Sequence, residues 1–229
     1  MNITRTAVVV LLGAAMAVAD PPGADVSPRA GMPNATTPSP SIQVPPEAVT
    51  NPAKPDSHGF FYIYAGKGSP QNHFIPSGWM GDYGDLRIDD ANRENSKNAP
   101  TSIKIAYSAK SSQGANWAGI YWQQPANNWG NVSGGYDLSH YKKLTFWARG
   151  AHGGEKIAEF KVGGITGDVG DTDSASIGPV TLTQDWKQYT IDLSGKSLVH
   201  IIGGFAWSAS RTDNPQGFSI YLDNIRFES

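Results

Sequence analysis

"KKLTFWARGAHGGEKIAEFKVG" (residues 142–163) is the stretch that decides the fold. In its first part Leu144, Phe146 and Ala148 alternate with Thr145, Trp147 and Arg149, the period of two expected of a half-buried strand. Its last part separates Phe160 and Val162 from Glu159 and Lys161 in the same way. The glycine-rich "RGAHGGEK" between them supplies turn chemistry. A sheet face carrying Trp147, Arg149, Glu159 and Lys161 is not a second core. It is either solvent-facing or a polar, aromatic-lined groove.

Similar short runs recur on both sides, separated by Gly, Asn, Asp and Ser clusters at roughly ten-residue spacing. Strands are expected at residues 60–65, 101–108, 118–124, 142–149, 156–163, 178–183, 187–193, 200–208 and 218–228. No segment keeps a helical period, and "LRIDDANRENSK" supplies at most a short helical turn. The pattern predicts an all-β domain, a sandwich or barrel, over residues 58–229.

The chain begins with Arg5 ahead of an apolar run and a small-residue site at Ala17, Val18 and Ala19. That is the form of a secretory signal peptide over residues 1–19, cut near Ala19, so a secreted protein without membrane insertion is expected. Residues 20–57 hold ten of the sixteen prolines and no aromatic residue. Such a segment cannot offset its own ordering entropy and is expected to be a disordered, proline-rich linker. There is no cysteine, which excludes disulfides and thiolate metal sites. A formal charge of −2 without any basic block argues against nucleic acid and anionic membranes as partners.

"FSIYLDNIRFE" at the end, preceded by "TLTQDWKQYTIDLSG", resembles the non-catalytic carbohydrate-binding modules of the galactose-binding-like jelly-roll superfamily, of the family 11 and family 4 kind. The resemblance spans about Phe60 to Glu228, and its central part does not align residue by residue. It implies a β-sandwich jelly roll of two antiparallel sheets that binds glycan on a concave face or at its loop end. It also implies a structural calcium on an acidic residue of the last strand, which here is Asp223, with ligands completed by the first strand and its following loop.

Flat side chains receive the apolar C–H faces of sugar rings, while amides and charges at the rim hydrogen-bond the hydroxyls. "IPSGWMGDYGD" and "WQQPANNWGN" have that mixture, with Trp79, Tyr83 and Trp129 beside Asp82, Asp85, Asn127 and Asn128. In "WAGIYWQQ" Trp122 shares a face with Ile120 and belongs to the core, leaving Trp117 and Tyr121 between packing and ligand. Trp207, which precedes Arg211 in "GGFAWSASRTDN", joins the candidates although it shares a face with Phe205. Carbohydrate-binding candidates are therefore Trp79, Asp82, Tyr83, Trp117, Tyr121, Asn128, Trp129, Trp207 and Arg211.

Asp168, Asp171 and Asp173 in "GDVGDTDS" and Asp89 and Asp90 in "RIDD" offer calcium oxygen ligands, but neither spacing is that of an EF-hand, and solvated turn aspartates are the favoured reading. No nucleophile elbow, zinc motif, phosphate loop or dinucleotide fingerprint occurs. A glycosidase needs two carboxylates about 5 to 9.5 Å apart; Glu155 and Glu159, four apart along a strand, stand about 13 Å apart. The first reading is a monomeric, secreted protein that binds a polysaccharide, β-glucan-like rather than charged, without chemistry. The alternatives are a glycoside hydrolase or lyase using Asp82, Asp85 or Glu159, and an envelope structural or protein-interaction module.

Overall fold

The computed structural model describes residues 51–229. The expected signal peptide, its cleavage site at Ala19 and most of the linker lie outside the described residues. In chain order the strands are β1 (Asn51–Pro52), β2 (Phe60–Tyr64), β3 (Ile75–Gly81), β4 (Leu86–Asn92), β5 (Ser102–Tyr107), β6 (Trp117–Gln123), β7 (Tyr136–Asp137) and β8 (Lys143–Gly150). They continue as β9 (Lys156–Ile157), β10 (Glu159–Gly163), β11 (Ser174–Ile177), β12 (Val180–Thr181), β13 (Lys187–Asp192), β14 (Gly203–Ser210) and β15 (Phe218–Glu228). A 3-10 turn at Tyr83–Asp85 is the one helical element among the described residues.

Two antiparallel sheets carry the fold. The five-stranded sheet runs β11-β10-β14-β6-β3, and the six-stranded sheet runs β13-β8-β15-β5-β4 with β2 also paired to β15. Side chains alternate across each strand, so one face of each sheet is apolar and the two apolar faces must meet. Phe146 of the six-stranded sheet lies 4.7 Å from Phe160 and 5.2 Å from Phe205 of the other, ring centre to ring centre. Trp122, Ile105, Ile220, Leu222 and Phe227 complete the same core, each almost fully buried.

"LRIDDAN" is strand β4 rather than a turn of helix, because Leu86 and Ile88 pair with Tyr107 and Ile105 of β5. Residues 51–57, assigned to the linker from composition, run along the domain. Asn51 and Pro52 pair in parallel with Tyr136 and Asp137, and the Asp56 carboxylate accepts the His58 and Phe60 amides. Asn51 has a partner far along the chain, Tyr136, that proline content alone does not disclose.

Trp147 and Arg149 do not share a face with Glu159 and Lys161. The first pair lies on the six-stranded sheet and the second on the five-stranded sheet. The glycine-rich connection from β8 leads the chain from one layer of the sandwich to the other, so the two outer faces are chemically distinct.

Candidate functional site: the outer face of the five-stranded sheet

Register defines this face. One row across it is Met80, Gly119, Ser208 and Glu159. The next is Gly78, Tyr121, Ala206, Lys161 and Ser176. Trp117 stands at one end, opposite Ser210. The floor is thus made of small residues, with the rings of Trp117 and Tyr121 and the thioether of Met80 above it. A side chain on Gly119 would meet the Trp207 carbonyl at 2.5 Å and the Met80 methyl at 3.0 Å, so the close approach of the neighbouring strand requires glycine there.

Tyr121 is only 7% exposed and packs with Ile165, Ile202 and Ala206 in a small apolar cluster outside the main core. Its hydroxyl donates to the Gly163 carbonyl at 3.1 Å, and burial, with Asp171 and Glu159 nearby, pushes that hydroxyl well above the usual tyrosine range. Trp129 stands over it edge-to-face, centroids 6.0 Å apart at 84°. Trp129 is 44% exposed, so one ring anchors the other while the outer ring keeps surface free for a ligand.

The loop carrying Trp129 is held by buried polar groups. Asn128 is 1% exposed; its Oδ1 accepts the Gly130 and Val132 amides, and its Nδ2 donates to the Val132 carbonyl. Gln123 donates to the Asn128 carbonyl at 2.7 Å, and the Ser77 hydroxyl accepts the Asn127 amide at 2.9 Å. The Val169 amide donates to the Gly130 carbonyl, tying in the neighbouring 164–171 loop. His200 bridges both loops, its ring nitrogens 2.8 Å from the Gly170 carbonyl and 2.9 Å from that of Gly134. Asp171 accepts the amides of Ile165, Ile202 and Gly203. An exposed indole on a loop fixed this way has little entropy left to lose on binding.

Asp82 does the same work at the other end. It is fully buried and accepts the Gln113, Ala115 and Asn116 amides at 2.8, 2.9 and 2.6 Å. Burial raises its pKa, but those amides outweigh burial and hold the carboxyl below its ordinary range. The loop it shapes delivers Trp117, and Arg211 joins through Asn116, whose carbonyl accepts the Arg211 amide. Asn116, Arg211, Thr212 and Pro215 line a depression of about 230 Å3.

Of the residues singled out from sequence, Trp117, Tyr121 and Trp129 come together on this face. Asp82 and Asn128 have their acceptors turned to backbone amides, so they position the loops rather than face a ligand. Trp207 must be corrected. It pairs with Ile120 and Phe160 on the inner face and is 1% exposed, so no sugar ring can reach it. Trp79 also pairs with Ile120, on the inner side of the outermost strand, yet is 40% exposed because that strand stands at the sheet edge. Tyr83, 52% exposed, stands on the 3-10 turn that follows Asp82, beside the end of β6 that carries Trp117. Glu159 and Lys161, expected from alternation on an outer face, complete it, and Met80 and Ser208 join them once strands are paired.

Asp223 is fully buried at a bulge of β15. Its Oδ2 accepts the Lys97 and Asn98 amides at 2.7 and 3.0 Å, whereas Oδ1 has no partner. A buried carboxylate oxygen without a donor is costly unless a cation or water meets it. No cluster of three or more acidic or histidine ligands occurs among the described residues. The unpartnered Oδ1 is the one feature here that suits a cation with oxygen ligands such as calcium.

No family model matches the sequence, and no curated protein matches it. Solved structures do match. A family 30 carbohydrate-binding module of a cellulosomal cellulase of Clostridium thermocellum aligns with a TM-score of 0.50 at 17% identity, over 74% of this chain and 97% of that one. Another family 30 module structure gives 0.50 at 17% identity, over 74% and 98%. A family 11 module from the same organism gives 0.48 at 14% identity, over 76% and 96%. The likeness to the family 30 modules is one of fold: this chain is an all-β sandwich of the kind found in carbohydrate-binding modules.

Proposed function

We propose that the protein is a secreted, non-catalytic, monomeric polysaccharide-binding protein whose ligand, a β-glucan-like chain, lies along the outer face of the five-stranded sheet. The observation that carries this is Trp129, an exposed indole braced on Tyr121 by a loop of buried hydrogen bonds, on the face where Trp117 also stands and where glycine, alanine and serine make the floor. Rings spaced along a flat floor suit successive sugars, and Glu159, Lys161, Ser208 and Arg211 supply groups for their hydroxyls. The neutral β-glucan assignment is supported by the mixture of both charges on the face and by the fold match to a module of a cellulase.

The enzymatic alternative loses two of its three acids. Asp82 accepts three backbone amides, and Asp85, 4% exposed, accepts the Ser111 amide at 2.7 Å. Glu159 alone of the three lies on the platform. Affinity electrophoresis against a panel of neutral polysaccharides, with reducing-sugar release measured in parallel, tests the proposal. Retardation without release supports it; turnover abolished by Glu159→Gln would replace it with a hydrolase.

A structural calcium at Asp223 is part of the same proposal. Asp223 would hold it through Oδ1, and the ion would fix the 97–98 loop against the last strand.

A further inference from the structure

The outer face of the six-stranded sheet has a different chemistry. Register places Asp89, Lys104, Tyr221 and Arg149 in one row across four strands, with Trp147 and Asp223 in another. Lys97 enters from the loop that Asp223 anchors. All three cations lie against rings: the Lys97 ammonium is 4.7 Å from the Trp147 centroid, and Lys104 and Arg149 are 5.9 and 5.5 Å from that of Tyr221. Ring faces hold the cations in place, which lowers the entropy cost of meeting a ligand.

None of the three is in an ion pair. The ion pairs of the described residues are Lys67 with Asp90, Lys143 and Arg226 with Glu228, and Lys196 with Asp173. Arg149 spends Nε on the Gly150 carbonyl and Nη1 on Asn95 at 3.4 Å, leaving the rest of its fork free. Of the acids around this face, Asp89 ends the row, Asp223 is fully buried, Glu94 adjoins Asn95 in the loop, and Glu228 is taken up by Lys143 and Arg226. On a chain of formal charge −2, three unpaired cations on one face are a local excess of the opposite sign.

We infer that this face is a second binding site, independent of the platform described above, and that it takes an acidic polysaccharide through its carboxylates. Lys104 and Arg149 flank Tyr221 on the two strands either side of it, two strand spacings or about 10 Å apart. Two cations held on either side of one ring suit a polymer that repeats a carboxylate on each sugar. Nucleic acid fits poorly, because Asp89 lies in the same row and the chain lacks the extended basic field that dense phosphate requires.

The test uses the full chain in affinity electrophoresis against polygalacturonate, its methyl-esterified form and a neutral β-glucan, with sedimentation on anionic vesicles alongside. Polygalacturonate is expected to retard the protein at low salt, the esterified polymer much less. The Lys104→Ala/Arg149→Ala double variant should lose affinity about tenfold, while Trp129→Ala keeps it. Near-ultraviolet circular dichroism of each variant reports that it is folded, and a Lys97→Ala variant gives an independent loss that leaves the sheet untouched. No retardation by polygalacturonate, equal retardation by the ester, undiminished retardation of folded variants, or binding to vesicles alone would overturn the inference. Failure of the β-glucan arm only would contradict the platform and leave this site standing.

Discussion

Trp129 and Tyr121 meet edge-to-face with ring centres 6.0 Å apart, and only the outer of the two is open to solvent. The pair separates two roles that one tryptophan-rich sequence mixes, since Tyr121 is packed by Ile165 and Ile202 while Trp129 offers surface.

Substitution should separate the same roles. Trp129→Ala is expected to weaken glycan binding about tenfold or more and to change unfolding free energy by no more than about 1 kcal/mol. Trp207→Ala, in the core, should cost about 3 to 5 kcal/mol. Denaturant unfolding and titration of both variants check this; a Trp207→Ala protein of unchanged stability would contradict the packing described.

His200 should act on the site without touching ligand. Removing its ring takes away the donor that faces the Gly134 and Gly170 carbonyls, at about 1 to 3 kcal/mol, and loosens the Trp129 loop from its neighbour. His200→Ala is therefore expected to lower both stability and affinity, with faster amide exchange at Gly130, Val132 and Val169. Unchanged exchange at those amides would show that the loops are held by something else.

Acid should destabilise the fold partly through Asp82. Its carboxyl is held lower in the fold than in the unfolded chain, so its contribution is complete above the unfolded value of about 3.9 and is lost as pH falls through the folded value. Asp171 has the opposite sign: burial outweighs its three amides and raises its pKa, so its contribution improves as pH falls through that raised value. Asp56 is held low on balance, burial opposing its amide bonds, and Asp173 and Asp192 are held low mainly by theirs. Glu228, where burial opposes bonds from Thr145, Arg226 and Lys143, is also held low, so the lowered carboxyls prevail. The melting temperature should drop below about pH 4, and Asp82→Asn should flatten the drop while lowering stability at neutral pH.

Calcium is checked by removal. A chelator should lower the melting temperature, added calcium should restore it, and Asp223→Asn should abolish the response. A wild-type melt indifferent to chelator and to calcium would mean that Oδ1 is met by water.

Alternation made most of the sandwich legible, because residues such as Leu144, Phe146 and Ala148 report which face is buried without any knowledge of their neighbours. Pairing was not legible. "FAWSAS" shows that Phe205 and Trp207 share a face, but only Ile120 and Phe160 beside them reveal that it is the inner one. The same limit hid Met80 and Ser208, which join Tyr121 across strands distant in sequence, and merged Trp147 and Arg149 with Glu159 and Lys161 although the sheets separate them. Asp82 and Asn128 looked like ligand groups because their type suits sugars. Their position among glycines, serines and asparagines in loops was the available signal that backbone amides would claim them first.

The central claim is that Trp129 and Trp117 form a sugar-binding platform on the five-stranded sheet. Isothermal titration of the protein with a soluble neutral β-glucan, beside Trp129→Ala and Trp117→Ala, tests it most directly. The account predicts saturable binding by the parent and a loss of about tenfold or more in each variant. Binding that persists unchanged in both variants would contradict it.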